Sequence, residues 1–483
     1  MRISCISGGL FVLIWLVGVS VGPNPAVADE LLAGTGGITI TPDQPVALAG
    51  QRRVRISKEV ESPCIATALA IETRRGDEPV DQAILVACDL VAIRDGILDE
   101  TRAALQGRLD GFNLKKLILS ATHTHTAPVM VEGTYELPTE GIMQPAEYRK
   151  FLVAQLADVV EKAWKSRAPA QVGWGLGHAV VAYNRRIVYQ DGTAQMYGGT
   201  NRSDFASIEG HEDHGVEVLF FWNMQGELIA TAVNVACPAQ SVEGRSSVNA
   251  DFWHEVRQKL QAEYGPQLHV VPWTGAAGDQ APRPMYRKAA ESRMRRLRNL
   301  DDLNELARRI VVAWKEAFEG ARQEMHSDVP LVHRVETIKL PVRLVTDEEY
   351  AEARAQMRLF EGNPSELWNY NWQKRVVDRF EKQSPEETYQ MELHVLRLGD
   401  VAIATNDFEL FTEFGVRIKS RSPALQTFLI QLAGPGTYVP THQASRGKGY
   451  SAIPQSNAVG PEGGTVLADE TVKVIRELWP SEN

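Results

Sequence analysis

The chain has 483 residues, and its 51 Lys and Arg against 61 Asp and Glu leave a net charge of −10. An acidic chain gives no electrostatic reason to bind nucleic acid, and that partner class is set aside. A hydrophobic share of 44% marks a globular protein rather than a disordered one. The length suits either about three average domains or one large α/β domain.

The N-terminus reads as a targeting segment. Arg2 supplies a positive start, residues 8–21 are apolar but too short to span a bilayer, and Ala26-Val27-Ala28 has the small-x-small form of a cleavage site. A signal peptide of residues 1–28, cleaved after Ala28, predicts an exported protein, secreted or periplasmic, with no transmembrane segment in the mature chain. Cys5 leaves with that peptide. Cys64, Cys88 and Cys237 remain, an odd count that implies no disulfide framework. Cys64 and Cys88 adjoin apolar runs and read as buried, inert thiols.

The mature chain opens on a Gly-rich lead, residues 34–37, into a short strand. Strands are predicted over 65–71 and 83–90, a helix over 95–105, and a strand over 116–121. Residues 148–164 place Leu152, Leu156, Val159, Val160 and Ala163 on one helical stripe. Residues 216–222 and 228–235 form two strands joined by a turn at 223–226. A helix begins near Ala250-Asp251, with Asp251 as its N-cap. Residues 268–273 form a strand that empties into the loop 274–279. The basic run 293–298 reads as the solvated face of a helix. Helices follow over 299–321 and 347–359, then strands within 395–405 turning at Gly399-Asp400, then a strand over 427–432. The alternation predicts an α/β fold built on a large mixed sheet.

Chemistry-bearing residues fall just past strand ends, where α/β folds collect their sites. The strand at 116–121 runs into Thr122-His123-Thr124-His125-Thr126-Ala127-Pro128. In an extended segment, residues i and i+2 share a face, so the two imidazoles can aim at one point. They are either metal ligands or solvated structural histidines, since a zinc site needs three or four protein ligands and the pair supplies at most two. Cys237, Asp279, Glu409 and Tyr438 follow other strands. Asp279 either orients a ligand or water, or caps the amides of its loop. Trp368, Tyr370 and Trp372 read first as aromatic core packing and second as an apolar wall for a lipid chain. Tyr183-Asn184-Arg185-Arg186 suits either contact with an anionic or hydroxylated substrate group or structural ion pairs.

Seven segments, in order, carry a family resemblance. They are Gly37-Ile-Thr-Ile-Thr-Pro42, Ala121-Thr-His123-Thr-His125-Thr-Ala-Pro128, Asn234-Val-Ala-Cys237-Pro238, Asn249-Ala-Asp251, Gly278-Asp279-Gln-Ala281-Pro282, Glu409-Leu-Phe-Thr-Glu-Phe-Gly415 and Tyr438-Val-Pro-Thr441. Together they span about residues 34 to 450. In them the chain resembles the neutral/alkaline (non-lysosomal) ceramidase family. The resemblance implies a single catalytic domain over residues 29–483 with that family's large mixed sheet; some members add a C-terminal β-sandwich domain, and the about 45 residues after Tyr438 are too few for one, so none is expected. It implies a hydrolase of a C–N amide bond that releases sphingosine and a fatty acid from N-acylsphingosine. Its cofactor would be Zn2+ held by His123, Glu409, Tyr438 and a fourth ligand. His125 would handle protons beside the metal, with Tyr438 as a further catalytic residue; Asp279 is a catalytic candidate by its place just past a strand.

Two positions depart from the family pattern. Cys237 stands where the family has its second zinc histidine, and Ala281 where it has a serine implicated in catalysis. A thiolate is a good zinc ligand, so Cys237 can close the site. The alternatives are His254 or His214. The Ala281 side chain is a methyl group, which can neither attack nor donate a proton. The expected chemistry is therefore attack by metal-activated water, with a small-molecule or lipid substrate and transient contact with a membrane surface. Hydrolysis of another ester, lactone or acyl substrate, or a degenerate binding protein on the same scaffold, are the alternatives.

Overall fold

A computed structural model describes residues 29–479; the proposed signal peptide, with Cys5, lies outside the described residues. Among those residues, eight strands form one mixed sheet: β1 (Glu30–Thr39), β2 (Ile65–Arg75), β3 (Glu78–Cys88), β4 (Leu117–Ala121), β5 (Ala168–His178), β6 (Gly215–Asn223), β7 (Leu228–Val235) and β8 (His269–Thr274). Their order is β8-β7-β6-β5-β1-β2-β3-β4. The pairs β3–β4 and β7–β8 are parallel and the others antiparallel. A smaller sheet runs β9 (Leu331–Pro341), β10 (Thr388–Leu398), β11 (Val401–Thr405) and β12 (Gln426–Ile430), with its last pair parallel.

Side-chain alternation along the strands builds the layers. On β3, Ile84, Val86 and Cys88 turn to helix Pro145–Lys165, meeting Leu152, Leu156 and Val159. Leu85 and Ala87 turn the other way and pack, with Leu69 and Ile71, against Leu396, Ile403 and Phe428 of the smaller sheet. Helices Phe252–Tyr264 and Asp302–Ala321 cover the rest of the large sheet's outer face. Helices Thr412–Arg421 and Pro461–Leu478 cover the outer face of the small one. The arrangement is helix, sheet, sheet, helix. Both sheets are buried on both faces, which explains why their central strands read as nearly continuous apolar runs.

The Gly-rich opening is not a lead but part of a ten-residue strand. A Cβ at Gly34 would sit 2.3 Å from the Ala163 carbonyl oxygen, so the glycine lets helix Pro145–Lys165 lie against the strand backbone. The same device makes β5, which apolar alternation did not reveal. A Cβ at Gly177 would come within 2.0 Å of the Ala313 oxygen. The basic run lies on helix Lys288–Arg298, none of whose residues is buried. Among the described residues, no helix is long and apolar enough to cross a membrane.

Candidate active site

The histidine pair sits where β4 stops. The strand ends at Ala121, and His123 takes a left-handed backbone with φ of 71°. That conformation is uncommon outside glycine and asparagine, and is held here by its neighbours. The amides of His123 and Thr124 both donate to the Leu90 carbonyl at 2.9 and 3.1 Å. The hydroxyls of Thr124 and Thr126 both donate to the Asn249 carbonyl at 2.7 Å. The rings do converge, with Nε2 atoms 3.1 Å apart, but through this turn rather than through strand alternation. Gly50, at φ 87°, passes so close that a Cβ there would lie 2.4 Å from the His125 ring.

Glu409 and Tyr438 reach the same place by a two-residue parallel bridge, Glu409–Leu410 with Tyr438–Val439, in which they are direct partners. A Glu409 carboxylate oxygen lies 3.2 Å from His123 Nε2. Arg185 donates to the Tyr438 hydroxyl at 3.2 Å, to Gly278 O at 2.9 Å and to Gln240 Oε1 at 2.8 Å. Burial alone would raise the Glu409 pKa, but His123, Arg185 and the Tyr438 hydroxyl outweigh it and hold the carboxyl well below its usual range. Burial, reinforced by Glu409, pushes the Tyr438 phenol well above its ordinary value. Behind His125, a Glu243 oxygen lies 3.4 Å from Nδ1, and Glu243 also pairs with Arg283.

The proton inventory shows what this floor can hold. His123 Nδ1 is 2.7 Å from the Val91 carbonyl, which accepts a hydrogen bond and so fixes the proton on Nδ1. In the neutral ring, Nε2 then presents a lone pair toward a carboxylate and a second imidazole. A backbone carbonyl behind one ring nitrogen is the usual support of a metal-bound histidine. Two ligands of one tetrahedral zinc stand roughly 3.3 Å apart, given Zn–N bonds of ~2.0–2.1 Å. The separations from His123 to His125 and to Glu409 are close to that figure. The donor chemistry of His123, Glu409 and Tyr438 thus fits a zinc-like ion, with His125 beside it. As they stand, no group of three or more His, Cys, Asp and Glu among the described residues is arranged to hold a metal.

Cys237 does not join this set. Its thiol is fully buried among Val181, Phe252 and their neighbours, and donates to the Val181 carbonyl at 3.3 Å. Burial raises its pKa well above the ordinary thiol value, opposing the thiolate that a metal needs. His254 and His214 do not supply the nitrogen either. His254 lies on helix Phe252–Tyr264, and His214 lies 3.3 Å from Glu212; neither lines the cavity.

Asp279 is likewise committed elsewhere. One oxygen accepts from the amide and hydroxyl of Thr412 at 2.9 and 2.7 Å, and the other from Asn184 at 2.7 Å. Its loop holds the site from behind. A Cβ at Gly278 would lie 2.2 Å from the Glu409 carbonyl, and the Asp279 carbonyl accepts from the Arg185 amide. Ala281 is fully buried and backbone-paired with Tyr183. Asp251 is the expected N-cap, accepting from the Phe252 amide. Arg186 pairs with Glu209, the structural half of the Arg185-Arg186 alternatives.

A pocket of about 160 Å³ opens above His123, His125, Glu409 and Tyr438. It joins an outer chamber of about 680 Å³ through shared walls at Arg94, Val131, Trp368 and Tyr450. Trp368 and Trp372 line it, so the aromatic cluster is a cavity wall as well as packing; Tyr370 is not in it. Arg94, Glu243, Gln240 and Tyr450 carry no local motif, and sequence reasoning missed them. The glycine at position 50 was the one local signal of a close approach.

No protein-family model matches the chain, and no curated protein matches it. The architecture is that of the neutral ceramidases. A crystal structure of neutral ceramidase from Pseudomonas aeruginosa superposes with a TM-score of 0.68 at 17% identity, covering 94% of this chain and 76% of that one. A ceramidase complexed with C2 gives 0.67 at 15% identity with the same coverage. At these identities the likeness is one of fold.

Proposed function

We propose that the protein is an exported, zinc-dependent hydrolase that cleaves an N-acyl amide bond with a water molecule as nucleophile. The observation that carries this reading is the convergence of His123 Nε2, the Glu409 carboxylate and the Tyr438 hydroxyl at the floor of an aromatic-walled cavity. When bound there, zinc would supply a water acidic enough to ionise near neutral pH and a Lewis acid for the scissile carbonyl. The remaining work belongs to side chains. The Val91 carbonyl fixes the His123 tautomer, and Arg185 orients the Tyr438 hydroxyl so that it can donate to the oxygen on which charge develops. His125, backed by Glu243, can take a proton and pass it to the leaving amine. Trp368 and Trp372 keep water from an acyl chain. None of these roles needs a hydroxyl at Ala281. Residues 1–28 support export.

Ceramide is the first compound to test, because solved proteins of this fold bear that name. The purified mature chain should release fatty acid from an N-acyl lipid in a zinc-dependent way, and a chelator should abolish release. Metal-dependent cleavage of short esters with no turnover of any N-acyl compound would sink the amide reading.

A further inference from the structure

The cavity has a charge that a neutral lipid would not use. Four arginines line its two chambers: Arg52, Arg94, Arg149 and Arg375. Arg149 is matched by Glu100 at 2.7 Å. The other three make no ion pair among the described residues. Arg94 is half-buried and gives one nitrogen to the Pro435 carbonyl. Arg52 lies over the rings of Trp372 and Tyr450 at 4.4 and 5.1 Å. Arg375 is exposed at the rim. Two carboxylates share the lining: Glu409 is engaged by His123, and Asp95 is exposed. A net acidic protein therefore gathers uncompensated guanidinium groups around one partly enclosed space. Burial costs the Arg94 charge some of its hydration, which lowers its pKa, and nearby Glu409 offsets this only in part. Guanidinium groups in such a setting bind carboxylate or phosphate strongly, through paired hydrogen bonds.

We infer that the substrates of this site carry an anionic group, recognised by Arg94 and Arg375 with Arg52 holding the aromatic wall. This rests on the reading that the site cleaves N-acyl amides. A fatty acyl chain is uncharged, so the anion belongs to the amine half: an acylated amino acid, or an acylated amine bearing a phosphate.

The test separates recognition from turnover by measuring binding to the metal-depleted mature protein, through quenching of tryptophan fluorescence. The probes share one acyl chain: N-dodecanoylglycine, N-dodecanoylethanolamine and N-dodecanoyl-O-phosphoethanolamine. The charged probes should bind at least about tenfold more tightly than the ethanolamide at low salt, a gap that added salt narrows. Whichever charged probe binds best identifies carboxylate or phosphate as the group recognised. Arg94→Gln should remove most of that preference, and Arg375→Gln about threefold of it, because the rim is better solvated. If Arg94→Gln fails to fold, the exposed Arg375→Gln and Arg375→Glu carry the test. Equal affinity for charged and uncharged probes, or a preference that survives loss of both arginines, overturns the inference. An anion preference without hydrolysis of any N-acyl compound would retire the amide reading and leave the anion subsite standing.

Discussion

The molecule contains two close histidine pairs, and they are built on opposite plans. His333 and His394 lie between the sheets in line. His333 Nδ1 meets the Gln82 carbonyl at 3.2 Å, its Nε2 meets His394 Nδ1 at 3.0 Å, and His394 Nε2 meets Glu392 at 2.9 Å. Each ring nitrogen has one partner, and neither ring lines the cavity over the candidate site. At the cavity floor, by contrast, one nitrogen serves as a vertex: His123 Nε2 faces both His125 and Glu409. Proximity of imidazoles is thus a poor sign of a metal site. What supports the metal reading proposed for His123 is convergence of lone pairs on one point, beside open volume and with a carbonyl fixing the tautomer.

Replacing residues at the vertex should have the largest effect. Glu409→Gln or His123→Ala should lower kcat/KM on an N-acyl substrate by more than about 10²-fold, since even supporting residues of metal sites are worth about 10–100-fold. Steady-state kinetics with added zinc checks this. The corresponding change in the linear pair, His394→Gln, should leave kcat within about threefold; a loss comparable to that of His123→Ala would erase the contrast. Gly50→Ala should cost about tenfold or more in activity and about 1–2 kcal/mol in stability. Its methyl must displace the His125 ring while sitting at a left-handed φ.

The linear pair should show itself in stability against pH. Burial holds both His333 and His394 below the ordinary value of 6.5, although Glu392 partly opposes this at His394. The unfolded chain takes up those protons first as pH falls. The stability the pair contributes is therefore complete above about pH 6.5 and is lost progressively on acidification. Denaturant melts between pH 7.5 and 5 should show this decline, and it should flatten in His333→Gln. A decline of unchanged size in that variant would place the titrating groups elsewhere.

Smaller effects are expected from positions that support the site without entering it. Asp279→Asn weakens the charged acceptor for Thr412 and should cost about 1–3 kcal/mol in stability, with kcat changed little once the protein is folded. Cys237→Ala should cost about 1 kcal/mol and leave activity within about threefold. A 10²-fold loss there would make the thiol a ligand and not a core residue.

Much of the layered fold was legible because strands buried on both faces leave long apolar runs, as at residues 83–90. Among the elements that escaped are two strands whose glycines are chosen for close backbone approach; strand Leu331–Pro341 and helix Pro461–Leu478 escaped as well, without that reason. The glycines of β1 and β5 look like loop and are strand, because a helix lies on them. Helix Leu367–Lys382 escaped for a different reason: its aromatic residues face both packing and cavity. At the site, His123 and His125 were visible as a pair, but the left-handed turn that joins them depends on Leu90 and Asn249, far away in sequence. Glu409 and Tyr438 carried ordered motifs, and their direct pairing on a two-residue bridge was not readable. Arg94, Arg185 and Glu243 act through distant partners, so local sequence could at most leave Arg185 open.

The metal proposed at the His123 vertex would be held through nitrogen and oxygen, without sulfur. X-ray absorption at the zinc edge of the purified protein reads those neighbours. The spectrum should show one zinc per chain, with nitrogen and oxygen neighbours at ~2.0–2.2 Å, and the zinc should be lost in His123→Ala. A sulfur neighbour at ~2.3 Å that disappears in Cys237→Ala, or a protein that takes up no zinc, would contradict it.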